Sequence, residues 1–122
     1  MDRYLGYRRA LHHYNILYRE DYLIEDRGED RLFKELALPE DMPTAFVCNN
    51  DEIACILIEK LEKMGYSVPE DISVTGFDNY PFIRRNASGL TTVDVDIAMM
   101  ASEGVELLLE RLNDKRETFV RR

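Results

Sequence analysis

The stretch that most constrains this chain runs from Thr44 to Phe77. TAFVC at 44–48 is a run of β-branched, aromatic and small apolar residues. It passes into a helical pattern over 50–64 that stops at Gly65, the residue type that best accepts a left-handed C-terminal cap. After the turn residues SVPED comes ISVTGF at 72–77, a second apolar run. Strand, helix and strand with short connections is the signature of a right-handed crossover between parallel strands. Both strands are nearly continuous in apolar residues, the pattern expected where helices cover both faces of a sheet. The predicted class is α/β, a parallel sheet flanked by helices.

The flanking segments extend this plan. Residues 2–14 carry Tyr4, Tyr7, Ala10, Leu11 and Tyr14 at helical spacing, which predicts an amphipathic helix whose tyrosine stripe faces a core. YLI at 22–24 reads as a short strand, and EDRLFKELA at 29–37 as a short helix stopped before Pro39. PEDMP at 39–43 is a loop, because Pro43 excludes Met42 from the helical region. DNYPFIRRNASG reads as an irregular loop and LTTVDV as a short strand. A last helix over 96–113 has Ile97, Met100, Ala101, Gly104, Val105, Leu108 and Leu112 on one stripe, with Asp96 placed to cap it. TFVRR reads as the start of a further strand.

Composition then excludes function classes. The chain of 122 residues is one domain's length and is 45% hydrophobic and 33% charged, which is globular and not disordered. Its formal charge of −8 repels phosphates, so this stretch does not itself grip nucleic acid. No apolar run spans a bilayer, and MDRYLGYRRALHH lacks the apolar centre of a secretory signal, so a cytoplasmic location and no membrane partner are expected. Cys48 and Cys55 match no metal spacing or redox motif and read as free thiols. His12 and His13 have no metal-binding pattern, and neither a metal nor a cofactor is expected. With no nucleophile–base set, phosphate loop or nucleophile elbow, the chain does not read as an enzyme.

Two polar clusters stand out. In open parallel sheets, ligands bind beyond the carboxyl ends of the strands. One strand here ends in Asn49, Asn50 and Asp51, the other in Phe77, Asp78 and Asn79. One crossover makes these strands parallel neighbours, so both clusters fall on the same rim. Amides and carboxylates suit vicinal hydroxyls, since an amide both donates and accepts and a carboxylate accepts twice. Phe77 offers an apolar face. Helix capping explains Asn49 or Asn50 equally well, and Asp78 also suits a turn. The residues alone leave both readings open.

PTAFVCNNDEIA, LEKMGYSVPEDISVTGFDN and LTTVDVDIAMMASEGVELLLERL resemble the effector-binding domain of the LacI/GalR family of bacterial transcription regulators. DRYLGYRRAL at 2–11, with Arg3 three residues before Gly6-Tyr7, is similar to a helix of the same family. The resemblance implies a partial periplasmic-binding-protein-like (type I) fold that closes on a small effector, a sugar or a related polyol or nucleoside. It implies effector contacts at Arg3, Asn50 and Asp78, with Asn49, Asp51 and Phe77 as possible additions. It also implies a homodimer, with Cys55, Ile56 and Glu59 as candidate contacts on a helix face where Ile56 departs from the core stripe. DNA would be engaged only through an N-terminal domain outside this chain. The alternative is an extracytoplasmic sugar-binding protein of a transport system.

The same resemblance divides the chain. Residues 1–90 would form an incomplete C-terminal lobe, and residues 91–122 a crossover segment and helix belonging to the other lobe, ending inside a last strand. Three departures from the pattern matter. RGEDRLFKELALPEDM at 27–42 is shorter than the family's stretch, which often carries an aromatic platform for the effector. Ala101 stands where the last helix commonly has Gly. The strand expected before residue 2 is absent, so marginal stability or self-association is expected of this chain alone.

Overall fold

The structure is a computed structural model that describes residues 2–30, 32–80 and 89–113. Its elements in order are α1 (Asp2–His13), a 3-10 turn at Glu20–Tyr22, β1 (Ala45–Val47), α2 (Asp51–Lys63), β2 (Ser73–Thr75) and α3 (Ile97–Asn113). The strand–helix–strand unit is as the sequence predicts. β1 and β2 pair in parallel, with Ala45 opposite Ser73, Phe46 opposite Val74 and Val47 opposite Thr75. LTTVDV continues the sheet beyond β2 through parallel bridges from Thr75 to Thr91 and from Asp78 to Asp94.

Side-chain periodicity explains the unit. α2 buries Ile53, Ala54, Leu57 and Leu61 on one stripe, and they meet Phe46, Cys48, Ile72, Val74 and Leu36 in the core. Each fully buried aliphatic side chain contributes roughly 1.5–3 kcal/mol. The helix ends in two reciprocal backbone bonds, from Tyr66 N–H to the Leu61 carbonyl at 3.1 Å and from Gly65 N–H to the Glu62 carbonyl at 3.0 Å. This terminator needs a left-handed residue, and Gly65 sits at φ +92°. Lys60 clamps the preceding loop to α2 by donating to the Leu36 carbonyl and the Glu35 carboxylate, both at 2.8 Å. Burial pushes the Cys48 thiol up to about 12, so it is a packing residue and not a nucleophile at neutral pH.

Two expected elements differ. The strand expected at 22–24 does not form: Tyr22 ends the 3-10 turn, and Leu23 and Ile24 follow without regular structure. Arg19 holds this turn, donating to Asp21 and Tyr22 at 2.6 Å and to Asp41 at 2.7 Å. The helix expected at 29–37 is an antiparallel bridge between Arg27 and Phe33. Here the Asp30 carboxylate accepts from the Leu32 N–H at 3.0 Å, and Gly28 N–H bonds the Leu32 carbonyl at 3.0 Å. A side chain that captures a backbone amide two residues on closes a turn where a helix would have continued.

The outer helices are less covered than their patterns predict. On α1, Tyr4, Tyr7 and Leu11 are half-buried and Ala10 is exposed, as is Tyr14 just beyond the helix. α3 has the expected Asp96 cap, which accepts from Met99 N–H at 2.8 Å. Every residue of α3 is exposed, so nothing among the described residues covers its apolar stripe. Residues 81–88 of the expected loop and the expected strand TFVRR lie outside the described residues.

Candidate functional site

The rim is assembled by backbone pairing first. Cys48 N–H donates to the Thr75 carbonyl at 2.8 Å and Asp51 N–H to the Phe77 carbonyl at 3.0 Å, which ties the ends of β1 and β2 together. The polar clusters after the two strands therefore emerge side by side. Asp78 sits at φ +98° and Asn79 at φ +51°. L residues with β-carbons seldom adopt such angles, and Asp and Asn tolerate them best. This bend aims the Asp78 carboxylate across the rim.

Arg3, in the first turn of α1, gathers the two clusters. Its Nη2 donates to Asp78 Oδ1 at 2.7 Å, and its Nη1 donates to the Asn49 carbonyl at 2.5 Å. The guanidinium lies 4.0 Å from the centre of the Phe77 ring, a cation–π contact. Four residues singled out from the sequence, Arg3, Asn49, Phe77 and Asp78, thus meet around one group. The Arg3 and Asp78 side chains remain 39% and 36% exposed. A pair this open contributes about 0–1 kcal/mol, so a ligand's hydroxyls can replace it at small cost.

Asn50 caps α2, its Oδ1 accepting from Ile53 N–H at 2.9 Å. The cap uses the oxygen; the amide nitrogen is not part of it. Asp51 is turned inward and only 3% exposed. Its Oδ2 accepts from Tyr80 N–H at 3.0 Å and its Oδ1 from the Thr92 hydroxyl at 2.5 Å. The carboxylate is thus engaged within the protein and away from the rim. On the far side of α2, Cys55 is half-buried while Ile56 and Glu59 are exposed, so a continuous strip of that helix faces outward.

Sequence reasoning placed Asn79 in the second cluster but did not single out Thr92, or Asp94, whose carboxylate accepts from Asn79 Nδ2 at 2.8 Å. The signal was available in LTTVDV, a polar-rich strand ending at the same sheet edge. A cavity of about 210 Å³ lies between α1, the 18–26 segment and β1, with Tyr4, Tyr7, Tyr22 and Val47 in its walls and Arg3 and Asn49 at the rim side. It shares those last two residues with the polar cluster but does not reach Asn50 or Asp78. Its volume is below the roughly 300–1,000 Å³ usual for small-molecule sites.

Among the described residues, no three His, Cys, Asp or Glu side chains are placed to hold a metal ion. No described helix is long and apolar enough to cross a membrane.

The sequence profile of the periplasmic binding protein-like domain matches residues 1–122. The chain is 32% identical to the arabinose metabolism transcriptional repressor of Geobacillus stearothermophilus, over 94% of this chain and 34% of that protein. It is 35% identical to the HTH-type transcriptional repressor PurR of Aliivibrio salmonicida, over 93% of this chain and 35% of the repressor. It is 30% identical to the NTD biosynthesis operon regulator NtdR of Bacillus subtilis, over 88% and 34%. The chain spans about a third of the length of the curated relatives it matches. With a parallel strand–helix–strand core, a polar rim beyond the strand ends and these relatives, the chain belongs to the periplasmic binding protein-like domain family, of the kind found in LacI/GalR transcription regulators.

Proposed function

We propose that Arg3, Asn50 and Asp78 form one wall of an effector site, with Asn49 and Phe77 beside them, and that the effector is a sugar or a related polyol. The observation that carries this reading is the convergence of Arg3, Asp78 and the Asn49 carbonyl on one exposed point, with the Phe77 ring beneath it. Vicinal hydroxyls accept from the guanidinium and donate to the carboxylate, while the face of a sugar ring stacks on the aromatic. The relative whose printed name concerns arabinose metabolism makes a pentose the first ligand to try.

In this reading the domain is the sensing part of a cytoplasmic transcription regulator and catalyses no reaction. Residues 1–90 belong to one lobe and residues 91–122 to a crossover and helix of the second, so α3 meets its partner surface only when both lobes are present. Lobe closure on the effector changes the geometry of a homodimer in which the Cys55, Ile56 and Glu59 face of α2 takes part. DNA is contacted by a separate domain. The ligand acts only through its different affinities for the open and closed arrangements.

The test is a thermal-shift screen against L-arabinose, other pentoses, hexoses and nucleosides. A ligand that binds the folded state raises the melting temperature by mass action. An Asp78→Ala variant should lose the shift; a shift of undiminished size in that variant would remove Asp78 from the site.

A further inference from the structure

We propose that the Asp51 carboxylate, with Thr92, is a positioning clamp that makes the placement of the rim depend on the segment 89–94. This rests on the reading of the rim as an effector site, and adds how that rim is held and how its state is passed on. Asp51 is the residue after Asn50, and its N–H is bonded to the Phe77 carbonyl, so it is covalently and by hydrogen bond part of both clusters. Its carboxylate is buried, and one oxygen holds the Tyr80 N–H while the other holds the Thr92 hydroxyl.

The contacts around it follow the same route. Gly76 N–H donates to the Thr91 carbonyl at 2.9 Å and Asp78 N–H to the Val93 carbonyl at 3.0 Å. Gly76 itself leaves the room the clamp occupies: a β-carbon there would lie 3.1 Å from Asp51 Cα and sterically on top of Oδ1. The loop 76–80 that carries Phe77 and Asp78 is therefore held between the first turn of α2 and the strand at 91–94. A carboxylate in this position needs both donors, because a polar group out of water is destabilising unless it is hydrogen-bonded. If the 89–94 segment shifts when lobes close, Thr92 moves with it and the Asp51 carboxylate must follow or break its bond. Asn50 and Asp78 are thereby coupled to the crossover, and effector binding at the rim is coupled to the same segment.

The test is amide hydrogen exchange on the 122-residue chain, comparing wild type with Thr92→Val, Thr92→Ser and Leu36→Ala. Valine keeps the shape of threonine and removes the donor; serine restores the donor. In Thr92→Val, the Gly76, Asp78 and Tyr80 amides should exchange about tenfold faster, and the core α2 amides of Leu57 and Leu61, which open only on global unfolding, should rise by no more than that factor. In Leu36→Ala, which loosens the core away from the clamp, the core amides should rise and the three loop amides should not. Thr92→Ser should return the loop amides to within about twofold of wild type. Faster exchange at the three loop amides in Leu36→Ala as well would show that they open only with the whole fold, a merely structural role for the clamp, and would overturn the proposal. Unchanged exchange at those amides in Thr92→Val would also overturn it. The measurement needs no effector, so a failure of the effector reading is seen separately in the ligand screen.

Discussion

Adding one methyl group at three glycines should give three different results, and the structure sets their order. At Gly76 the new β-carbon would meet the Asp51 carboxylate at sub-contact distance and the Asp51 backbone at 3.1 Å. Because the backbone at the start of α2 is fixed by the core, relief requires the carboxylate to leave Tyr80 and Thr92. Overpacking costs about 1–3 kcal/mol, and disturbing bonds to a charged group adds to this, so Gly76→Ala should destabilise by about 2–4 kcal/mol. At Gly65 there is open space, but φ is +92°. A left-handed alanine costs about 1–2 kcal/mol, less the gain from a stiffer unfolded chain, for a net loss of about 1 kcal/mol. At Gly104 there is open space in mid-helix, and alanine should stabilise by up to about 1 kcal/mol. Urea unfolding followed by circular dichroism at one protein concentration reads all three. A Gly76→Ala midpoint equal to that of wild type, or above that of Gly65→Ala, would refute the placement of Asp51 against this glycine.

The remaining predictions use other parts of the molecule. Asn50→Ala removes the α2 cap and should cost about 1 kcal/mol in the same urea assay. The Arg19 guanidinium holds the Asp21 and Asp41 carboxyls below their usual range, as Lys34 does for Glu25 and Lys60 for Glu35. A depressed folded-state value means stability that is present above the ordinary carboxylate range and lost as pH falls through the folded values. Melting temperature should therefore drop on acidification below about pH 4, and Arg19→Ala should flatten part of that drop. Val47 on β1 and Met100, Leu108 and Leu112 on α3 are more than half exposed. Sedimentation or light scattering should accordingly show the 122-residue chain associating as concentration rises; a sharp, concentration-independent melt at high temperature would contradict this.

What the sequence made legible was the part in which local and long-range demands agree. Residues 44–77 have to be strand, helix and strand because each apolar period matches one element, and Gly65 can only end the helix. The 29–37 segment misled because a helical apolar period competes there with Asp30, whose side chain closes a turn on Leu32. The failure at 22–24 came from Arg19, whose three partners include Asp41, far along the chain. The common rim was legible from topology alone, since parallel neighbours present their carboxyl ends together. The role of Asp51 was not. An acidic residue at the start of a helix already has a local explanation in the helix dipole, and the partner that explains its burial, Thr92, lies forty-one residues away. Asn50 takes the capping reading, its oxygen accepting from Ile53 N–H, and this leaves its amide nitrogen outside the cap.

Both strand ends and Arg3 should meet the same guest. Nuclear magnetic resonance titration of the isotope-labelled chain with L-arabinose, or with whichever sugar or nucleoside raises the melting temperature most, tests this directly. The amides of Asn49, Asn50, Phe77 and Asp78 and the Arg3 guanidinium should shift together along one saturation curve. Saturable shifts confined to the tyrosine-walled cavity, to α3 or to a single strand end would contradict it.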